Sequence, residues 1–340
     1  MKRITAATAL AVASSLFLTA CDPPMPPEVI AALAEQSYTC EPGEVNVWAV
    51  DSIASVATDW QSSVVINCPE MSITPVAEQT ATTQLQISNS NPVGSAFDSV
   101  PFAVDAIVFA YNLDGVTGLN LDAAAIEEIY SGQITVWNDP LIAKLNPSFN
   151  LPSQAISFAN PLTVADAKPM TDWLSRLAGH SVSLAAGSAT LDTPGAIVAT
   201  TFSAATAAAN SMANIVTGKK IDTDFAVADS NGLLSAASQW KTSQTATGIT
   251  VELNPQSKPI PPLGLDAAPN PYQAIVPVNL NLVGDDNLNT RAAARYLLRQ
   301  DSQGSLALSS VVPLPEVIRV ISLTEVSKGL PTPKVTQPTG

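Results

Sequence analysis

The chain alternates short apolar runs with amphipathic stretches. Residues 45–50 form a β-rich run, and Asp51-Ser52 then opens a stretch where Ile53, Val56, Ala57 and Trp60 recur at helical spacing. Residues 64–66 and 71–76 read as strand material around Cys68, and residues 104–111 are nearly continuously apolar, as in a strand buried on both faces. Asp122 is placed to cap a helix whose apolar face is Ile126, Ile129 and Tyr130, closed by Gly132. After an extended link at 134–137, Asn138 is expected to cap a second short helix, with Pro140 in its first turn and Asn146-Pro147 ending it. Residues 171–177 read as helix, 194–202 carry a Gly followed by β-branched positions, and 204–212 are Ala-rich. Six prolines between 255 and 271 demand a loop. Residues 275–283 are another buried-type strand, and 290–299 an amphipathic helix with Tyr296 and Leu297 among polar neighbours. Strands alternating with helices, without tandem repeats, predict an α/β protein with mainly parallel sheets and flanking helices.

The first residues give the compartment. Lys2 and Arg3 precede a run of apolar or small residues over 6–18, too short for a bilayer that needs about 20. Leu18-Thr19-Ala20-Cys21 resembles a lipobox, which makes 1–20 a signal peptide and Cys21 a lipidated N-terminus; an ordinary secretory signal is the alternative. Asp22-Pro23-Pro24-Met25-Pro26-Pro27 suits a semi-rigid tether, taken to span 21–43. An extracytoplasmic, lipid-anchored location follows. Cys40 and Cys68 then remain as an even pair outside any C-x-x-C spacing, either a disulfide or two separate buried thiols. The Pro/Thr-rich end, 326–340, is expected to be a disordered tail.

Composition narrows the function. Fifteen Lys and Arg against 29 acidic residues argue against nucleic acid and against polybasic membrane adhesion. The one histidine, His180, sits in an expected loop, and no G-x-S-x-G elbow is present, so no catalytic residue is assigned. No metal-ligand cluster, dinucleotide loop or phosphate-cradling glycine loop is present, and no cofactor or metal is expected. Glu127 and Glu128 read as a solvated helix face, and the five tryptophans mostly as core.

From Pro101 to Pro147 the sequence resembles a known family. Val104-Asp105-Ala106-Ile107-Val108-Phe109-Ala110-Tyr111-Asn112-Leu113 is similar to the strand by which phosphate-binding proteins of ABC transporters cross between lobes. Ile126-Glu127-Glu128-Ile129-Tyr130-Ser131-Gly132 resembles the following helix, and the string G-x-I-T-x-W-N-D-P at Gly132 to Pro140 is the most specific match. Thr193-Pro194-Gly195-Ala196-Ile197, Tyr272 to Asn281 and Val312-Pro313-Leu314-Pro315 carry weaker similarities. The resemblance implies a two-lobed type II periplasmic binding protein with a ligand cleft between lobes. Lobe 1 would be 44–106 plus 275–325 and lobe 2 107–274. It also implies a monomer that binds a small anionic solute and delivers it to an ABC transporter permease.

The binding loops depart from the family pattern. An R-S-D-G-S-G-T-type loop is replaced by a stretch around Asn160 and Thr163 without Arg or paired Gly, and a G-A-T-F-type turn falls at Ala49-Val50-Asp51-Ser52. Asp51 reads as a ligand contact or as the N-cap of a helix starting at Ser52 or Ile53, and Ser52 shares that turn. Ser88 and Ser90 stand where a third loop is expected, with a plain polar loop as the alternative, and Asn160 and Thr163 are candidates by position. The expected function is binding of phosphate or a related oxyanion; the alternative is a binding fold that has lost phosphate and serves as a surface interaction or structural lipoprotein.

Overall fold

The computed structural model describes residues 37–331. The expected signal peptide, the expected lipidation site at Cys21, the expected tether up to residue 36 and the end of the chain from residue 332 lie outside the described residues. The described chain begins with β1 (Gly43–Ala49), α1 (Asp51–Asn67), β2 (Met71–Pro75), β3 (Leu85–Ser88) and the long β4 (Ala96–Tyr111). Next come β5 (Asn120–Leu121), α2 (Ala123–Tyr130), α3 (Pro140–Leu145), β6 (Ser157–Ala159), α4 (Val164–Ala178), β7 (Ala196–Thr201) and α5 (Phe202–Ala207). Then follow β8 (Ser211–Met212), β9 (Asn214–Val216), β10 (Phe225–Ala226), α6 (Ser230–Ala237), β11 (Trp240–Thr245) and β12 (Gly248–Leu253). The last elements are β13 (Ile275–Val283), α7 (Leu288–Leu297), α8 (Gln300–Gly304), a 3-10 turn (Ser305–Leu308), β14 (Val312–Pro313) and α9 (Glu316–Val326).

β4 organises the molecule. Every residue from Val100 to Tyr111 is buried, which is why this stretch reads as almost uninterrupted apolar sequence. Its first part, Ala96 to Ala106, pairs antiparallel with β13, while Ile107 to Tyr111 pairs antiparallel with β7. The strand therefore changes partners between Ala106 and Ile107 and belongs to two lobes. The first lobe's sheet runs β11-β12-β4-β13-β3-β1-β2. In the second, β6, β7 and β8 join the far half of β4, and a small sheet, β10-β9-β5, lies beside them in the chain. The fold is the expected two-lobed α/β type, but pairing is mixed. Parallel pairs are β1–β2, β1–β3, β5–β9 and β6–β7, with one β12–β4 bridge, whereas β4 and β13 run antiparallel to each other. An apolar run records burial on both faces, not strand direction.

Several local expectations shift. Residues 64–66 belong to α1, not to a strand: Val64 lies four residues beyond Trp60 and is fully buried, while Val65 and Ile66 face solvent. Asp122 caps α2 by accepting from Ala125 N–H at 2.8 Å, and Asp139, not Asn138, caps α3 by accepting from Leu141 N–H at 2.8 Å. The β11–β12 hairpin, placed in lobe 2 by the sequence, joins the first-lobe half of β4 at Gly248–Ser99. A side chain at Gly248 (φ +116°) would put its Cβ 2.0 Å from the Ser99 carbonyl oxygen. The chain stays ordered past 326: α9 ends at the fully buried Val326, and Leu330 packs against the core.

The two ends of the described chain are fixed to lobe 1. Cys40 and Cys68 form a disulfide across 28 residues. Tyr38 stacks on Tyr296 at 6.1 Å, lies 3.7 Å under the Arg299 guanidinium, and donates its hydroxyl to Asp301 Oδ2 at 3.0 Å. In the chain-entropy account a cross-link of this span stabilises by about 3.5 kcal/mol. Replacing both cysteines by alanine is expected to lower the unfolding free energy by about 2–4 kcal/mol, read from urea denaturation.

Behind the sheet, Arg291 donates to Asp98 Oδ2 at 2.9 Å, with both side chains buried, and to Asp286 Oδ1 at 2.6 Å at the surface. Burial pushes the Asp98 carboxyl up against the pull of Arg291, and the Arg291 hydrogen bond holds Asp286 down. Arg291→Ala leaves Asp98 buried without its cation and is expected to destabilise by about 3 kcal/mol, seen as a lower urea midpoint.

Candidate ligand-binding cavity

The turn from β1 into α1 is held by backbone. Val50 N–H donates to Ile87 O at 3.0 Å, and Ile53 and Ala54 N–H donate to Val50 O at 2.8 and 3.0 Å. Val50 is the N-cap, so Asp51 is the first residue of α1 rather than its cap. A carboxylate in the first turn of this 17-residue helix is favoured by the helix dipole. Asp51 and Ser52 line one wall of a cavity of about 610 Å³, with Ser55 one turn further along α1. Asn89, beyond β3, and Ser309 and Ser310, after the 3-10 turn, add polar groups. Trp48, expected in the core, is half-buried and also lines it.

The opposite wall comes from the partner switch of β4 and the start of α5. Asp105 is 2% exposed, and its Oδ1 accepts from Ala106 N–H at 2.8 Å and Ser203 N–H at 3.0 Å. Its Oδ2 accepts from the Ser203 hydroxyl at 2.6 Å. Thr201 Oγ1 lies 3.0 Å from Ser203 Oγ. Since the Ser203 proton points at a carboxylate, the Thr201 hydroxyl is the donor of that pair, while Thr201 Oγ1 accepts from Ala204 N–H at 3.1 Å. Burial pushes the Asp105 carboxyl up, and its hydrogen bonds from Ser203 and Ala106 work the other way. Behind it, Ile107 N–H donates to Ala274 O at 2.8 Å, and the fully buried Tyr272 donates its hydroxyl to Ile107 O at 3.1 Å.

The cavity thus carries two carboxylates, many hydroxyls and no Lys, Arg or His among its lining residues. Of the residues singled out in the sequence, Asp51 and Ser52 line it. Ser88 is fully buried and spends its hydroxyl on Ser90 O at 2.8 Å, and neither serine lines the cavity, although Asn89 between them does. Asn160 and Thr163 are not among its lining residues either. Asn160 N–H donates to Ala186 O and its Oδ1 accepts from Leu162 N–H at 3.3 Å, whereas Thr163 caps α4 by accepting from Asp166 N–H at 3.2 Å. A Thr ahead of a helix with an acidic residue three positions on is a capping signal, and Thr163 serves as that cap. The polar lining residues not singled out in the sequence are Ser55, Asn89, Asp105, Thr201, Ser203, Ser309 and Ser310. Asp105 had a visible signal, a single charge inside an otherwise apolar buried strand. His180 is exposed and pairs with Glu127 at 2.9 Å. Among the described residues no group of three or more His, Cys, Asp or Glu is placed to hold a metal, and no helix is long and apolar enough to cross a membrane.

Ser203→Ala removes the hydroxyl that favours the ionised form of Asp105, so its pKa is expected to rise further in a ¹³C NMR titration. The accompanying stability loss, about 1–3 kcal/mol with the carboxylate ionised, should shrink as pH falls through that raised pKa.

A family model described as a PBP superfamily domain matches residues 77–272. The phosphate-binding protein PstS3 of Mycobacterium bovis is 32% identical over 180 residues, which covers 46% of this chain and 45% of that protein. The phosphate-binding protein PstS 2 of Mycobacterium tuberculosis is 44% identical over 64 residues, 19% of this chain and 17% of that one. The chain therefore spans less than half the length of these relatives. Among solved structures, a putative phosphate ABC transporter substrate-binding protein with bound phosphate from Clostridium perfringens is similar at 12% identity and a TM-score of 0.46, covering 80% of this chain and 100% of that one.

Proposed function

The chain belongs to the PBP (periplasmic binding protein) superfamily, and from that premise we propose that it is an extracytoplasmic solute receptor for phosphate or a related small oxyanion. It is held to the membrane by lipid on Cys21, acts as a monomer and hands its solute to an ABC transporter permease; its role is binding rather than catalysis. The observation that carries this reading is the hydroxyl-rich cavity beside the point where β4 passes from one lobe to the other. The amino end of α1 points its dipole at that space, and Ser52, Ser55, Ser309 and Ser310 bring donors that an oxyanion needs. The similarity to proteins named for phosphate binding supports phosphate as the solute. Lobe movement about β4 and β13 would close the cavity on its occupant, and the closed form would dock on the permease.

A second reading is favoured by one observation. The lining carries Asp51 and Asp105 and no cation, which suits a binding fold turned into a surface interaction protein. Calorimetric titration of phosphate into the protein at pH 6.0, with sulfate alongside, separates the two. The expected outcome is saturable phosphate binding at micromolar concentrations. No heat at millimolar phosphate would overturn the receptor reading in favour of the second.

A further inference from the structure

Asp105 occupies the cavity wall in a way that competes with any anion. Its carboxylate takes the Ser203 N–H and the Ser203 hydroxyl, and the Thr201 hydroxyl is committed in turn to Ser203 Oγ. Three donors that border the cavity are thereby directed at, or in line with, an internal carboxylate. No residue lining the cavity brings a compensating charge; α4 and α9, which also pack on β4, carry Asp166, Lys168, Asp172 and Arg176 and Glu316, Arg319 and Glu325, none of which lines it. β13, β7, α5 and the 3-10 turn contain no ionisable side chain, and α1 contributes only acidic ones, Asp51 at the cavity and Asp59 on an exposed position. An incoming oxyanion would meet two negative charges and find the nearest hydroxyl protons already used.

We propose that an oxyanion occupies this cavity only together with one proton bound to Asp105, which makes Asp105 a proton-dependent determinant of affinity. The inference rests on reading the cavity as an oxyanion site. The proton is taken from solvent and attaches to Oδ2, so the carboxylate becomes a carboxylic acid and no other bond changes. Two consequences follow. One of the two negative charges at the cavity disappears. The new acid proton turns toward Ser203 Oγ, and the Ser203 and Thr201 hydroxyls are released to donate to the ligand. Burial that already favours the neutral form lowers the cost of that step.

The test is phosphate binding to the full chain and to Asp105→Asn, measured by calorimetry between pH 5.5 and 8 in buffers of differing ionisation enthalpy. Wild type is expected to take up about one more proton per phosphate than Asp105→Asn. Its affinity is expected to fall by about tenfold more per pH unit than the variant's above the Asp105 pKa. Equal proton counts and parallel pH profiles, with phosphate bound by both, would overturn the inference and leave the receptor reading intact. No phosphate binding by either protein at any pH would overturn the receptor reading and the inference with it. Should Asp105→Asn fail to fold, the Asp105 carboxyl carbon in wild type decides by ¹³C NMR. A protonated signal on saturation with phosphate supports the inference, and an ionised one overturns it.

Discussion

The structure depends on one strand being dry along its whole inner length. β4 has no solvated face from Val100 to Tyr111, so each of its backbone groups must find a partner inside the protein. The first-lobe half finds it in β13, the second in β7, and where these partners change over, Ile107 N–H is taken by Ala274 O and Ile107 O by the Tyr272 hydroxyl. The phenol of Tyr272 thus completes the backbone bonding at a joint between sheets. Hydroxyl chemistry supplies there what regular pairing does not, and Asp105, two residues before Ile107, is held in the cavity wall by Ala106 N–H and by the amide and hydroxyl of Ser203.

β4 carries two buried carboxylates with opposite solutions to desolvation. Asp98 is matched by the Arg291 guanidinium, which is itself braced by Asp286. Asp105 has only neutral donors, two amides and a hydroxyl. A buried charge met by a cation is a fixed structural feature, because neutralising either partner leaves the other stranded. A buried charge met by neutral donors keeps the freedom to change protonation without stranding a counter-charge. The first arrangement lies away from the cavity and the second in its wall.

Much of this was legible in the sequence, for reasons that differ by element. The apolar run of β4, the Asp122 cap and the Gly132 to Pro140 string are local signals and were read in place. Trp137 of that string donates its indole N–H to Gly195 O at 3.1 Å, so two similar motifs prove to be one packing unit. Gly195 itself, at φ +84°, has no room for a Cβ, which would lie 2.4 Å from Ala155 O. The cavity was less legible. Asp51 and Ser52 follow a strand-to-helix turn and could be placed by pattern, whereas Asp105 and Ser203 are 98 residues apart and meet only through the β4–β7 pairing. Thr163 and Ser88 spend their hydroxyls on the backbone, and a hydroxyl near a loop looks the same in sequence whether it faces a ligand or satisfies the backbone.

The attachment at the amino-terminal side has a mechanical consequence. A pull arriving along the chain from upstream meets the stacked Tyr38 and then the Cys40–Cys68 bond, which passes it into the end of α1 and the β1–β2 edge. The load path ends in lobe 1 before it reaches the β4 switch. The second half of β4 and the strands paired with it lie off that path. The amino-terminal side of the described chain is thus tied to the β1–β2 edge and not to the β4 switch.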